Sequence, residues 1–200
     1  MELVEPLVRY FLGIFFLMIG LQFTGRALGL YDRTGVSHIH YGQPGSKGWW
    51  HRHIFNLFRA AILGICVGRI LVDLNAWLGV IGWLYHPVVL LAGMVLLLVS
   101  FTLVNYLQAY MHNDWRSGAD AGTGTLLTEG PYRRTRNPLF MAVILGQMGF
   151  FLALPSVFSL VCLVVGAAVI MRQARVEEQV LEARFGEPYR QYRDKTPRWL

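Results

Sequence analysis

Five long apolar runs decide what this chain can become. They extend from about Leu7 to Leu30, Ile54 to Leu74, Pro87 to Met111, Leu139 to Leu154 and Ser156 to Met171. In lipid, only helices or closed barrels satisfy every backbone N–H and C=O internally, and none of these runs alternates with the period of two that a barrel strand needs. The sequence therefore predicts an all-α integral membrane protein with about five transmembrane helices. A hydrophobic fraction of 54% over 200 residues is more apolar surface than a soluble domain of this length can hide. We expect one membrane domain, with three helices in 1–111 and a second half in 112–200.

The fourth and fifth runs each fall short of the ~20 residues that a full crossing needs. They meet at Pro155 in a tight hairpin and can cross only by continuing into flanking polar sequence. The fifth has that option, running on to Phe185 before Gly186 and Pro188 stop it. Beyond Met171 the chain reads as a basic, amphipathic helical extension lying at the interface. The acidic start, with Glu2 and Glu5, lacks the basic flank of a secretory leader, so the first run is expected to be retained. Cys66 and Cys162 both sit inside apolar runs and read as small packing residues.

Charge gives an orientation. The loop 31–53 holds Arg33, Lys47 and Arg52, and the stretch 112–138 holds Arg116, Arg133, Arg134 and Arg136. The tail adds a further series from Arg172 to Arg198, whereas the segment 74–86 has neither lysine nor arginine. With five crossings, this bias places the N-terminus outside and the first loop, third loop and tail in the cytoplasm. The formal net charge of +6 is thus explained by topology and by attraction to anionic lipid headgroups. No nucleic-acid-binding signature is present, so membrane lipids and not nucleic acid are the expected partners.

Several polar groups stand out against this background. Glu177 and Glu178 lie just past the last apolar run; they are either a solvated face pairing with Arg175 or Arg184, or a carboxylate aimed at a ligand ammonium. Adjacent helical residues point about 100° apart, so at most one faces a site. Arg133, Arg134 and Arg136 sit among Pro131, Tyr132, Asn137 and Pro138, where two prolines fix turns and a guanidinium offers a rigid fork for carboxylate or phosphate. Gly122, Gly124 and Gly130 free the preceding backbone for close approach to a ligand. Asn105, Gln108 and His112 recur at helical spacing, either lining a cavity or marking where the helix leaves the membrane. Gln147, deep in the fourth run, would bond across helices or touch substrate. Arg69 and Asp73 have the i,i+4 spacing of a structural pair, and Arg59 can snorkel to the surface. His38, His40, His51 and His53 lack nearby cysteine or carboxylate pairs, so no metal is expected.

Trp115-Arg116, Gly130-Pro131-Tyr132-Arg133, Arg136-Asn137-Pro138, Glu177-Glu178 and the segment from Phe185 to Tyr192 together resemble the isoprenylcysteine carboxyl methyltransferase family, which is allied to the membrane phospholipid methyltransferases. The resemblance covers the C-terminal half from Trp115 onward. It implies S-adenosylmethionine as methyl donor, bound at the cytoplasmic side, and an acceptor entering sideways from the bilayer. Carried over by position, Tyr132, Arg136, Asn137 and Pro138 would line the cofactor pocket together with Leu126 and Gly130. Glu177 or Glu178 would hold the donor's ammonium. The prenylcysteine branch favours His where this chain has Asn137 and Tyr where it has Phe140. The cofactor therefore survives the comparison better than prenylcysteine does.

A lipidic or amphipathic acceptor is expected, with a carboxylate, amine or thiol as its nucleophile. A carboxylate needs only an arginine, Arg136 or Arg116, to orient it; an amine or thiol must lose a proton to Glu178, Tyr189 or His112. Arg136, Glu178 and Arg116 are thus the candidate catalytic residues. The alternatives are an NADPH-dependent membrane reductase, or a non-catalytic lipid-binding protein whose arginines grip headgroups. Oligomeric state is not legible.

Overall fold

The computed structural model describes residues 3–34, 45, 47–111 and 125–200. Along them run α1 (Val4–Thr34), α2 (Lys47–Leu71), the single turn α3 (Asn75–Leu78), α4 (Pro87–Tyr110), a 3-10 turn (Gly130–Arg133), α5 (Pro138–Ala153), α6 (Val157–Phe185) and α7 (Glu187–Lys195). The helices begin where the sequence is built to start them. Pro87 and Pro138 open α4 and α5, where a missing N–H costs nothing. Ser156 and Ser159 form a reciprocal capping box at the head of α6. Gly186, at φ +57°, ends α6, and Pro188 falls in the first turn of α7.

Stretches within α1, α2, α4 and α6 are long and apolar enough to cross a bilayer, so this is a multi-pass membrane protein. Residues such as Ile14, Leu57, Val95 and Val164 are exposed along these helices, as a lipid-facing surface requires. Helix α6 does continue into polar sequence, as expected. Helix α5 does not: its 16 residues span about 24 Å, short of the ~30 Å hydrocarbon core.

α4 and α5 make the most intimate pair. Ala142, Gly146, Gly149 and Ala153 form one small-residue stripe on α5. Across from it, Gly93 lies directly against the backbone of Leu152 and Ala153, and Ser100 Oγ donates to Ala142 O at 2.7 Å. Backbones come this close only without side chains between them. Gly93→Val is therefore expected to destabilise the protein by about 3 kcal/mol through overpacking. A melting temperature unchanged in detergent would contradict that seam.

The apolar core lies toward one end of the bundle, where α1 begins, α2 ends and the α5–α6 hairpin turns. It comprises residues such as Leu12, Cys66, Leu90, Phe150 and Leu154, with Phe15–Phe101 and Phe16–Phe150 ring contacts at 5.7 and 5.1 Å. The loop after α3 docks on that hairpin, Ile81 N donating to Pro155 O and Val157 N to Gly79 O. The same end holds a correction to the sequence reading of Arg69. Its guanidinium reaches Glu5 and Asn75, at 3.5 and 2.9 Å, while Asp73 lies 3.6 Å from Arg9. A buried arginine takes the carboxylate that tertiary packing brings inside, and Asp73 is left largely exposed.

The opposite end receives the close of α1, α4 and α6 and the starts of α2 and α5, so Arg133, Arg134, Arg136, Glu177 and Glu178 converge there. Asn105 Oδ1 accepts across helices from Gln22 of α1. Arg59 lies over the Phe23 ring at 4.1 Å.

Candidate functional site

Asn137, the residue before α5, and Glu178, about six turns into α6, face each other because the hairpin runs the two helices antiparallel. Arg136 Nε and Nη2 donate to Glu178 Oε1 at 3.3 and 3.1 Å, and Asn137 Nδ2 adds a contact at 3.4 Å. Arg198 completes the ring: its Nε and Nη2 donate to Glu178 at 2.9 and 2.7 Å. Two guanidiniums and an amide thus surround one carboxylate that is itself only 8% exposed.

Arg198 is there because the tail folds back. Arg136 N donates to Pro197 O, Arg136 Nη1 to Thr196 O at 2.6 Å, and Thr135 Oγ1 to Arg198 O at 2.8 Å. The segment 196–198 is a strap across the head of α5, held by its backbone carbonyls. Such a strap has no sequence signature; nothing in the basic tail signals that it returns 63 residues to Thr135.

Glu177 turns away from this ring, as the helical offset between neighbours requires. It is half-buried, and its hydrogen bond among the described residues comes from the neutral amide of Gln173, at 3.2 Å. It faces the 3-10 turn. Burial first, and then the negative charge of Glu177, raise the Tyr132 hydroxyl well above its usual range. The Tyr132 ring stacks on Tyr110 with centroids 6.3 Å apart, and Gly130, at φ +57°, lets the turn press against the Tyr110 ring.

Helix α7 braces the turn from the other side, with Tyr192 Oη donating to Tyr132 O at 2.6 Å. Burial pushes the Tyr192 hydroxyl up to about 12 from 10.0. A group that resists ionisation in the fold stabilises fully below its unfolded value and loses that contribution as pH rises through the folded one. Melting temperature should hold to pH 10 and fall between pH 10 and 12, and Tyr192→Phe should shrink that step.

The structure therefore brings Arg136, Asn137, Pro138 and Glu178 together, with Glu177 and Tyr132 on the adjoining face. Gly130 opens the 3-10 turn, and Leu126 lies on the approach to it. Arg116, His112, Gly122, Gly124, His38 and His40 lie outside the described residues. Gln147 packs its amide onto Gly166 of α6, and its buried carbonyl oxygen has no hydrogen bond among the described residues. Among the described residues, no three His, Cys, Asp or Glu side chains come together.

A family model described as phospholipid methyltransferase matches residues 88–188, from the start of α4 into α7. The chain belongs to that family. The matched span contains the 3-10 turn, the Arg136–Glu178 pair and Glu177, and it makes the protein a membrane methyltransferase. No curated protein and no solved structure matches the chain.

Proposed function

We propose that the protein is an S-adenosylmethionine-dependent methyltransferase acting on a lipidic or amphipathic acceptor that reaches the site from the bilayer. The observation that carries this reading is Glu177, a half-buried carboxylate whose hydrogen-bond partner among the described residues is a neutral amide, set beside Tyr132 within the family's matched span. A carboxylate in that setting gains strongly from a cation. The ammonium of the donor's amino-acid end fits it. Glu178 is already surrounded by guanidiniums, which favours Glu177 as the cofactor ligand and gives Glu178 a positioning role.

The methyl donor supplies a methyl group on sulfonium, ready for in-line displacement. The protein's own task is alignment and exclusion of water. Glu177 would bind the ammonium; the Arg136–Glu178–Arg198 ring would lock α6 to the head of α5 and so fix where Glu177 stands. Tyr132 and Gly130 would form the wall on the loop side, with Leu126 on the segment leading to it. The positive-inside bias supports a cytoplasmic site with the N-terminus outside. Whether the acceptor belongs to the isoprenylcysteine type or the phospholipid type is a question for assay. Incubating detergent-purified protein with methyl-labelled donor and a membrane lipid extract should move label into the organic phase. Donor binding without any transfer to lipid would overturn the acceptor class.

A further inference from the structure

On the face of α6 away from Glu177, the turn at Gly186 folds α7 back and leaves a cavity of about 310 Å³. That is about ten waters' worth of space. Its lining includes Arg175, Glu178, Glu182, Tyr189, Arg193 and Arg198, three guanidiniums against two carboxylates. Arg193 pairs with Glu182 at 2.8 Å and Arg198 with Glu178 at 2.7 Å. Arg175 has no ion pair among the described residues. Tyr189 is only 1% exposed, and its hydroxyl has no hydrogen-bond partner among the described residues. A cation without an ion pair and a phenol whose buried hydroxyl is unpartnered among the described residues therefore belong to side chains lining one cavity, and a small turn of Tyr189 would bring its hydroxyl to a ligand there.

We propose that this cavity binds a phosphate group, and that its source is the headgroup of an anionic phospholipid. A phosphodiester takes a guanidinium fork and a phenolic donor together, and a carboxylate-neutralised surround leaves one positive charge to match it. Depth argues for lipid. Arg175 stands one helical turn beyond Met171, where the apolar run ends and headgroups begin. The site is built by different side chains from those facing Glu177, apart from the wall shared at Glu178.

The test compares melting of the full chain in nanodiscs of phosphatidylcholine with discs mixed equally with phosphatidylglycerol, and in phosphatidylcholine discs given inorganic phosphate. Phosphatidylglycerol should raise the melting temperature, and native mass spectrometry should find anionic lipid retained. Arg175→Gln should weaken retention about fivefold, and Tyr189→Phe should weaken it less. Arg175→Lys should recover only part, because the fork is lost while the charge stays. Arg134→Gln, an equal change of charge elsewhere, should have no such effect. Equal stabilisation by inorganic phosphate, lost in Arg175→Gln, would keep the phosphate site but overturn the lipid as its source. No stabilisation by either, or the same loss in Arg134→Gln as in Arg175→Gln, would overturn the site itself.

Discussion

Glu178→Gln is expected to destabilise the folded protein by about 3 kcal/mol, the range seen when one partner of a buried ion pair is removed. Arg136, with its side chain 9% exposed, would lose its counter-charge, and Arg198 would exchange one of its two acceptor oxygens for an amide NH2 that cannot accept. For a chain of this size the melting temperature should fall by roughly 6–12 °C. Arg136→Gln in the same background should not add its full single-variant loss, since the two groups form one pair. Additive losses, or no shift at all, would mean that the ring around Glu178 holds nothing together.

Glu177→Gln should behave in the opposite way. Its hydrogen bond from Gln173 involves no charge on the donor, so neutralising it should leave the melting temperature nearly unchanged. Donor affinity should fall on the order of tenfold to a hundredfold, the worth of a charge-assisted hydrogen bond in a sheltered site. The pair of variants separates ligand binding from support: one loses affinity and keeps its fold, the other loses stability first. Donor affinity that falls in Glu178→Gln but not in Glu177→Gln would reverse the assignment.

The elements legible in the sequence were those written locally. Pro87, Pro138, Pro155 and Gly186 sit at helix boundaries because a proline or glycine acts through its own backbone, which the sequence states directly. The offset between Glu177 and Glu178 follows from helical geometry in the same way. What stayed hidden depends on long-range placement. Arg69 has a suitable neighbour four residues on, yet pairs with Glu5 from another helix. The stripe from Ala142 to Ala153 reads as ordinary apolar filler until Gly93 is found against it. The strap at 196–198 uses backbone carbonyls, which every residue carries, so no residue type announces it. Within the candidate site, chemistry was visible as residue types, but the division of labour between the two glutamates needed the positions of Arg136 and Arg198.

The measurement closest to the central claim is calorimetric titration of S-adenosylmethionine and S-adenosylhomocysteine into the detergent-purified protein and its Glu177→Gln variant. The account predicts micromolar binding of both ligands to the native chain and a loss of at least tenfold in the variant at equal melting temperature. Absence of binding in folded native protein, or equal affinity in the variant, would contradict it.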